Sequence, residues 1–431
     1  MILLRNGLVV DPVSKLEDIR DIAIAGDKIV EIEKNISMDL MKEKYGEAVE
    51  EVDCTGLLIG PGLVDVHVHF RDPGFTYKED IYTGARAAAR GGVTSVILMA
   101  NTKPVVDNEE TLRYVIDKGA ETDINVYTCA SISKGLKGEE IVDMKNLKAR
   151  GAVGFTDDGI PLLEANKAKE AMLEAVRNDS VLSFHEEDPQ YISNNGVNHG
   201  IASEYFGIGG SDRMAEISMV ERDIKLALET GAKVNFQHIS SKEAVNLIRQ
   251  AKKDGKGENI HAEATPHHIS MTENDVIVHG TLAKMNPPLR TEEDRRAIWE
   301  GLSDGTIDII ATDHAPHAEE EKAKEITAAP SGIIGLETSL SVCYDSLVKT
   351  NVLSKMQLFC KMSTNPAKLY GISAGELAID RTADLVIFDE NRVKTFKKPL
   401  SKSKNSPLLG CKITGDIVMT ICRGKIIYNG L

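Results

Sequence analysis

The middle of the chain alternates short runs of apolar, often β-branched residues with longer amphipathic runs that are rich in Ala and Glu. The short runs have the length of strands, and the longer runs have the periodicity of helices that bury one face. Apolar strands that each precede a helix are typical of a parallel sheet covered on both faces. The predicted strands are 63–68, 94–99, 124–129, 152–155, 181–184, 233–237, 261–265 and 308–312. The helices predicted to follow them are 77–90, 108–120, 139–150, 164–177, 212–230, 241–254, 291–303 and 335–349.

Eight such units in succession predict an α/β fold, a (β/α)8 barrel of the TIM type over residues 55–374. Residues 1–54 and 375–431 instead carry short alternating strands with Gly-Asp and Arg-Gly turns, which predict one small β-sandwich domain built from both chain ends. Two connections of the barrel are long. The second of them, 314–334, contains the run EEEKAKE, which we interpret as a solvated face, and its position makes 317–330 a candidate lid.

Composition narrows the class of protein. Of 431 residues, 51 are Lys or Arg and 66 are Asp or Glu, so the formal net charge of −15 argues against a broad nucleic-acid-binding face. No run of 18 apolar residues predicts a membrane span, and the N-terminus lacks the pattern of a signal peptide. The six cysteines are scattered without CxxC spacing, which is typical of a reduced protein. We therefore expect a cytoplasmic enzyme without nucleic-acid or membrane partners.

Polar residues at the carboxyl ends of TIM-barrel strands point into the mouth where catalysis takes place. Those ends carry His67 and His69 on the first strand, Asp157 and Asp158 on the fourth, His185 on the fifth, His238 on the sixth and Asp313 on the eighth. A single His there is more often structural, and a single Asp often caps the next helix. Their coincidence on one rim favours a metal site instead, and imidazole with carboxylate suits Zn²⁺ or a similar ion. The spacing leaves the choice between Asp157 and Asp158 open.

Several motifs resemble those of dihydroorotase of the bacterial class I type, within the amidohydrolase superfamily. They run the length of the chain in order: GPGLVDVHVHFRDPG (60–74), MANTKP (99–104), GFTDDG (154–159), FHEED (184–188), FQHIS (236–240), ATPHH (264–268), KMNPPLR (284–290), ATDHAPH (311–317) and STNPAKLYG (363–371). The resemblance implies reversible hydrolysis of (S)-dihydroorotate to N-carbamoyl-L-aspartate, a step of de novo pyrimidine (UMP) biosynthesis, by metal-activated water.

The resemblance also implies a cofactor and roles for the residues that match the motifs. One or two Zn²⁺ would bind per chain, the more buried one to His67 and His69 and the second to His185 and His238. Asp158, chosen over Asp157 by its place in the motif, would bridge the two. Asp313 would contact the first metal and act as catalytic base and proton shuttle.

Further motif residues are implied to hold the small-molecule substrate. Arg71 offers a forked set of donors that suits the substrate carboxylate, and Asn101 and His317 add hydrogen bonds. Asn286 and the backbone of Ser331 and Gly332 would hold the remaining ring amide and carbonyl.

Two other functions stay open at this point. A related cyclic amidohydrolase (hydantoinase or allantoinase) would share the fold and metals, but Arg71 and the lack of a bridging lysine on the fourth strand end count against it. A non-catalytic dihydroorotase-like partner of aspartate transcarbamoylase should have lost metal ligands, and all six are present. The resemblance leaves open a homodimer and an association with aspartate transcarbamoylase.

Overall fold

The computed structural model describes residues 1–46, 48–253 and 257–430. Its strands are β1 (Ile2–Asp11), β2 (Leu16–Ala25), β3 (Lys28–Glu33), β4 (Glu50–Asp53), β5 (Leu58–Pro61), β6 (Leu63–Val68), β7 (Val93–Leu98), β8 (Asn125–Thr128), β9 (Phe155–Thr156), β10 (Val181–Phe184), β11 (Lys233–Phe236), β12 (Ile260–Ala264), β13 (Ile309–Ile310), β14 (Leu385–Thr395), β15 (Lys412–Cys422) and β16 (Lys425–Asn429).

The α-helices are α1 (Met38–Tyr45), α2 (Ile81–Arg90), α3 (Glu109–Ala120), α4 (Met144–Ala149), α5 (Ala165–Arg177), α6 (Ile201–Phe206), α7 (Met214–Thr230), α8 (Lys242–Lys253), α9 (Pro266–Ser270), α10 (Glu273–His279), α11 (Glu292–Asp304), α12 (Glu319–Lys322), α13 (Ser339–Cys343), α14 (Lys355–Phe359) and α15 (Asn365–Tyr370). Among them, none combines the length and apolar character needed to span a bilayer.

Strands β6 to β13 are the eight predicted strands, and every pair among them is parallel. They form two sheets in chain order, β6 to β8 and β9 to β13, and not one continuous ladder. Isolated parallel bridges, Ala130 to Phe155 and Val68 to His314, link the edges of the two sheets. The prediction of an α/β fold of the TIM type is confirmed, with two seams where the ladder is interrupted.

A buried carboxylate replaces part of the missing ladder at each seam. Asp65 in β6 accepts hydrogen bonds from the backbone N–H of Thr312, at 3.1 and 3.2 Å from its two oxygens. Asp157, just after β9, accepts from the backbone N–H of Ile132 at 2.7 Å and Ser133 at 3.0 Å. Burial raises the pKa of both carboxyls to about 6. Asp65 therefore connects β6 to the segment after β13, and Asp157 connects the end of β9 to the segment after β8.

Helix starts differ from the prediction where a cap fixes them. The predicted helix 77–90 begins only at Ile81, because the side chain of Asp80 accepts the N–H of Thr83 at 2.8 Å. The predicted helix 139–150 is reduced to α4, which follows the capping residue Asp143. The eighth predicted helix is α13 continued by a π-helical turn, Tyr344–Val348. Residue 254, the last of the predicted helix 241–254, lies outside the described residues.

The two chain ends share one sheet and one core. The sheet runs in the order β16-β15-β14-β5-β1-β2-β3, with β4 paired to β1, and its junction is the antiparallel pair β5 and β14. One apolar cluster joins Ile22 and Ile24 of β2 with Leu385 and Ile387 of β14. The two ends therefore fold together, as the sequence pattern predicted. The domain boundaries 1–54, 55–374 and 375–431 stay a prediction.

Candidate functional site

The six side chains predicted to bind metal lie together, all buried, at the carboxyl ends of the barrel strands. They form three overlapping groups whose potential ligand atoms lie within 4.8 Å of one another: His67 with His69 and Asp158, His67 with His238 and Asp313, and Asp158 with His185 and His238. Most of these residues are far apart in sequence, and the barrel fold brings their side chains into contact at one end.

Asp158 lies between the imidazoles. Its Oδ1 is 3.3 Å from His67 Nε2, 3.7 Å from His185 Nδ1 and 3.9 Å from His238 Nε2. Its Oδ2 is 3.4 Å from His69 Nε2. One carboxylate therefore lies within 3.9 Å of a ring nitrogen of each of the four histidines. Asp157, by contrast, is occupied by the backbone of the neighbouring strand end.

The donor atoms present fit a transition-metal ion. The Nε2 atom of His67 is buried, faces the carboxylates and has no hydrogen-bond partner among the described residues. A buried polar atom is seldom left unpaired, so an unpaired ring nitrogen among carboxylates is typical of a ligand atom. Four imidazoles and two carboxylates are the nitrogen and oxygen donors that zinc enzymes use.

Burial disfavours the charged form of each group in the cluster whose pKa is shifted, yet attraction between opposite charges prevails at several of them. Against burial, Asp158 and Asp313 raise the pKa of His67 well above its usual value. Against burial, His67 holds the pKa of Asp158 well below its usual range and lowers that of Asp313 to about 2. Burial and the neighbouring His185 lower the pKa of His238 well below its usual value. Both carboxylates are therefore anionic near neutral pH, the form that binds a cation.

Three of the candidate residues have left-handed backbone conformations. The φ angles are 59° at Arg71, 32° at His238 and 46° at Asp313. Such conformations cost a residue with a Cβ about 1–3 kcal/mol and persist only where the surroundings enforce them. They also turn the side chains away from the alternation of a regular strand, so strand periodicity does not predict where these side chains point.

A cavity of about 410 Å³ opens above the cluster. The six residues predicted to hold the substrate all line it: Arg71, Asn101, Asn286, His317, Ser331 and Gly332. Its volume lies within the range of small-molecule binding sites. The buried Oδ1 of Asn286 has no hydrogen-bond partner among the described residues, so this side chain keeps an acceptor free.

Two of these residues also brace their neighbours. Asn101 accepts from His69 Nδ1 at 3.0 Å and donates to Asp158 Oδ2 at 3.1 Å. His317 Nε2 donates to the carbonyl of Ser331 at 2.8 Å, and its Nδ1 accepts from Lys78 Nζ at 3.3 Å. Burial first, and then Arg71 and Lys78, lower the pKa of His317 to about 2. His317 is thus a neutral side chain that fastens the cavity wall.

Buried lysines hold the rest of that wall through backbone carbonyls. Lys284 Nζ donates to Ile326 and Ala329, each at 2.7 Å. Lys322 Nζ donates to Pro330 at 2.9 Å and to Gly332 at 3.1 Å. The interpretation of EEEKAKE as a solvated face is wrong at Lys322, which is only 4% exposed. Since a charge run usually faces solvent, only the tertiary contacts identify this lysine as an anchor.

Sequence reasoning missed other polar neighbours of the cluster. Glu263 in β12 lies 3.0 Å from His67 Nδ1, and Glu187 lies 3.1 Å from His185 Nε2. Asn195, from the long connection after β10, lines the cavity. The signals available were a glutamate within the buried strand HAEAT and the second acid of FHEED, and neither is specific by itself.

Comparison with known proteins places the chain among metal-dependent hydrolases. The sequence profile of the amidohydrolase family matches residues 58–427. The dihydroorotase of Clostridioides difficile (strain 630) is 52% identical over 429 residues, and the match covers 100% of each chain. The dihydroorotase of Clostridium acetobutylicum is 48% identical over 431 residues, again with 100% of both chains covered.

Solved structures agree on the fold. The L-hydantoinase (dihydropyrimidinase) of Arthrobacter aurescens superposes with a TM-score of 0.86 at 25% identity, covering 100% of this chain and 96% of that one. The family profile, the full-length relatives and this shared architecture agree with one another. The chain belongs to the amidohydrolase family and, within it, to the dihydroorotases.

Proposed function

We propose that the chain catalyses the reversible hydrolysis of (S)-dihydroorotate to N-carbamoyl-L-aspartate, in de novo pyrimidine biosynthesis. The observation that carries the proposal is the combination, in one cavity, of a buried His and Asp cluster with the guanidinium of Arg71. The full-length relatives named dihydroorotase support the same reaction.

The proposed cofactor is zinc, one or two ions per chain. His67, His69 and Asp313 would hold one ion and His185 with His238 the other, with Asp158 shared between them. Bound there, zinc lowers the pKa of water and polarises an amide carbonyl, so that hydrolysis proceeds near neutral pH. The unpaired Nε2 of His67 and the position of Asp158 among four imidazoles support this assignment.

Asp313 is the proposed proton shuttle. In hydrolysis, water adds to the ring amide carbonyl and the carbon–nitrogen bond breaks, which leaves a carboxylate on carbon and a carbamoyl NH₂ on nitrogen. Asp313 takes a proton from the attacking water and gives it to the departing nitrogen, and the second proton of the water is released to solvent as the new carboxyl group ionises. The same carboxylate serves both directions, because the base of one direction is the acid of the other. Its Oδ1, 2.9 Å from His69 Nε2 and 3.5 Å from His67 Nε2, supports a role at the reacting atoms.

Arg71 is the proposed reader of the substrate carboxylate. Its Nε donates to the carbonyl of Pro316 at 3.2 Å, which fixes the plane of the guanidinium, and its Nη2 lies 3.5 Å from His317 Nε2. The guanidinium keeps further N–H donors for a carboxylate. Asn101, His317 and Asn286, with the backbone of Ser331 and Gly332, would hold the rest of the ring. Arg71 would therefore orient the ring so that its amide faces the cluster.

The two other functions are not favoured. An uncharged hydantoin ring offers Arg71 no partner, and the L-hydantoinase of Arthrobacter aurescens, at 25% identity, shares mainly the fold. A non-catalytic subunit would not need to retain all six candidate metal ligands, and here all six are present and clustered. A homodimer, an association with aspartate transcarbamoylase and a cytoplasmic location stay predictions, and the mass of the purified chain in solution tests the first.

Direct turnover tests the proposed reaction. The purified, metal-loaded chain should convert (S)-dihydroorotate to N-carbamoyl-L-aspartate, followed by ultraviolet absorbance, and should cyclise the product when the pH is lowered, since ring closure consumes a proton. Hydantoin and dihydrouracil are the matched substrates without a carboxylate. A preference for either of them would contradict the proposal.

Metal content tests the ligand set. Protein purified without chelator should contain between one and two zinc ions per chain by elemental analysis. Asp158→Asn should lower this content, because it weakens a shared anionic ligand. The adjacent Asp157→Asn is the matched control: it should lower stability and keep the metal. Equal metal loss in both variants, or active wild-type protein without metal, would contradict the ligand assignment.

Arg71→Met should weaken substrate use and leave the metal in place. A hydrogen bond to a charged group contributes about 1.5–3 kcal/mol, so kcat/KM for dihydroorotate should fall about tenfold to a hundredfold. Arg113→Met, at a position whose side chain is 83% exposed, is the control and should behave as wild type. Unchanged kcat/KM in Arg71→Met would remove the carboxylate reader from the mechanism.

Asp313→Asn should separate proton transfer from metal binding. Asparagine keeps the shape and one oxygen donor but cannot take up a proton. The variant should keep most of its zinc while kcat falls about 10²–10⁴-fold in both directions, the usual range for a general acid–base group. Metal loss as large as the activity loss would instead make Asp313 chiefly a ligand.

A further inference from the structure

A chain of buried hydrogen bonds lies behind His67, on the side away from the cavity. Glu263, in β12, is 1% exposed and does not line the cavity. Its Oε2 lies 3.0 Å from Nδ1 of His67, and its Oε1 accepts from Nδ2 of Asn235 at 2.5 Å. Both oxygens of the Glu263 carboxylate therefore have hydrogen-bond partners. One of these partners, His67, is a candidate metal ligand.

These hydrogen bonds continue across the barrel to α15, the last helix of the barrel region. Asn235 Nδ2 also lies 3.3 Å from Ser183 Oγ and 3.5 Å from the hydroxyl of Tyr370. Ser183 Oγ and the Tyr370 hydroxyl are 2.5 Å apart. Tyr370 ends α15 and belongs to the motif STNPAKLYG (363–371), to which the proposed reaction gives no role. The network thus connects an unassigned motif to the metal cluster.

The chemistry of the contact fixes the orientation of His67. A carboxylate oxygen can only accept, so the neutral imidazole carries its proton on Nδ1 and donates it to Glu263. The lone pair is then on Nε2, which lies 3.3 Å from Asp158 Oδ1 and 3.5 Å from Asp313 Oδ1. The absence of any hydrogen bond to Nε2 among the described residues leaves that lone pair free for a cation.

The neighbouring ligand His69 is held differently. Its Nδ1 contacts the amide oxygen of Asn101, which also lines the cavity and contacts Asp158. His67 instead contacts the carboxylate of Glu263, which does not line the cavity and which also accepts a hydrogen bond from Asn235. A carboxylate makes the ring a better donor to a metal than a neutral amide does, and loss of such a partner typically weakens metal binding.

We propose that Glu263 is a positioning residue of the metal centre, which holds His67 with Nε2 aimed at the metal, while Asn235 and Tyr370 fix the carboxylate of Glu263. This inference rests on the proposed function in one respect, that His67 is a metal ligand. It adds a residue that touches neither substrate nor metal and acts only through His67.

Two variants of Glu263 separate charge from reach. Glu263→Gln keeps the length but supplies only one accepting oxygen, so either His67 or Asn235 loses its acceptor. Glu263→Asp keeps the charge but draws the carboxylate back by about 1.5 Å, one carbon–carbon bond. If orientation of His67 is the role, both variants should weaken zinc binding, and a buried negative charge alone should not rescue it.

The experiment measures zinc affinity by competition with a chromophoric chelator, alongside thermal unfolding of the metal-free protein. Both Glu263 variants should bind zinc about 10–100-fold more weakly than wild type. Glu273→Gln is the matched control, because Glu273 is also buried and accepts from an asparagine, Asn198 Nδ2 at 2.9 Å, away from the cluster. It should lower the unfolding temperature of the metal-free protein and leave zinc affinity unchanged.

The outcomes distinguish the two proposals. Wild-type zinc affinity in both Glu263 variants would overturn the positioning role while leaving the metal centre intact. An equal loss of affinity in Glu273→Gln would also overturn it, since general destabilisation would then explain the effect. A wild-type protein that binds no zinc would overturn the metal centre itself, and with it the role of Glu263. If Glu263→Gln does not fold, the affinity of Glu263→Asp decides.

Discussion

Four imidazoles and two carboxylates share one small buried volume at the carboxyl ends of the barrel strands, and burial of charge is costly unless each charge has a partner. Here the partners are the other members of the cluster. Asp158 lies close to all four imidazoles. Its negative charge and that of Asp313 raise the pKa of His67 against the effect of burial. A bound cation would likewise balance the negative charges of the two carboxylates. The cluster therefore combines a costly burial of charge with the donor atoms of a candidate metal site.

The barrel adapts its backbone to this cluster. The two seams in the ladder lie where β9 and β13, each of two residues, give way to the segments that carry Asp158 and Asp313. Asp157 and Asp65 accept the backbone N–H groups that an unbroken ladder would have paired. After β9 a structural carboxylate, Asp157, therefore directly precedes a candidate ligand, Asp158, whereas Asp65 in β6 binds the backbone of the segment that leads to Asp313.

Charge is also divided across the cavity. The anionic carboxylates form its floor, whereas Arg71, Lys284 and Lys322 lie at or behind its wall. The ammonium groups of the two lysines donate to carbonyls of the loop that they hold. The guanidinium of Arg71 donates from Nε to Pro316 and has Nη2 3.5 Å from His317 Nε2, so it keeps further N–H donors for an anion. A small molecule with a carboxylate at one end and a cyclic amide at the other matches this division.

The sequence alone determined the elements and the candidate cluster, because these depend on local pattern. Apolar runs of strand length located β6 to β13 within a few residues, and the rule that barrel chemistry lies at strand ends selected the six clustered side chains together with Asp157. It could not distinguish Asp157 from Asp158 by spacing, and it missed Lys322. The tertiary structure shows that Asp157 binds backbone N–H groups while Asp158 faces the imidazoles, as its place in the motif implied. Only the tertiary structure paired Glu263 with His67, 196 positions apart. Local pattern reports burial and period, whereas a hydrogen bond between distant residues exists only once the strands have been brought side by side.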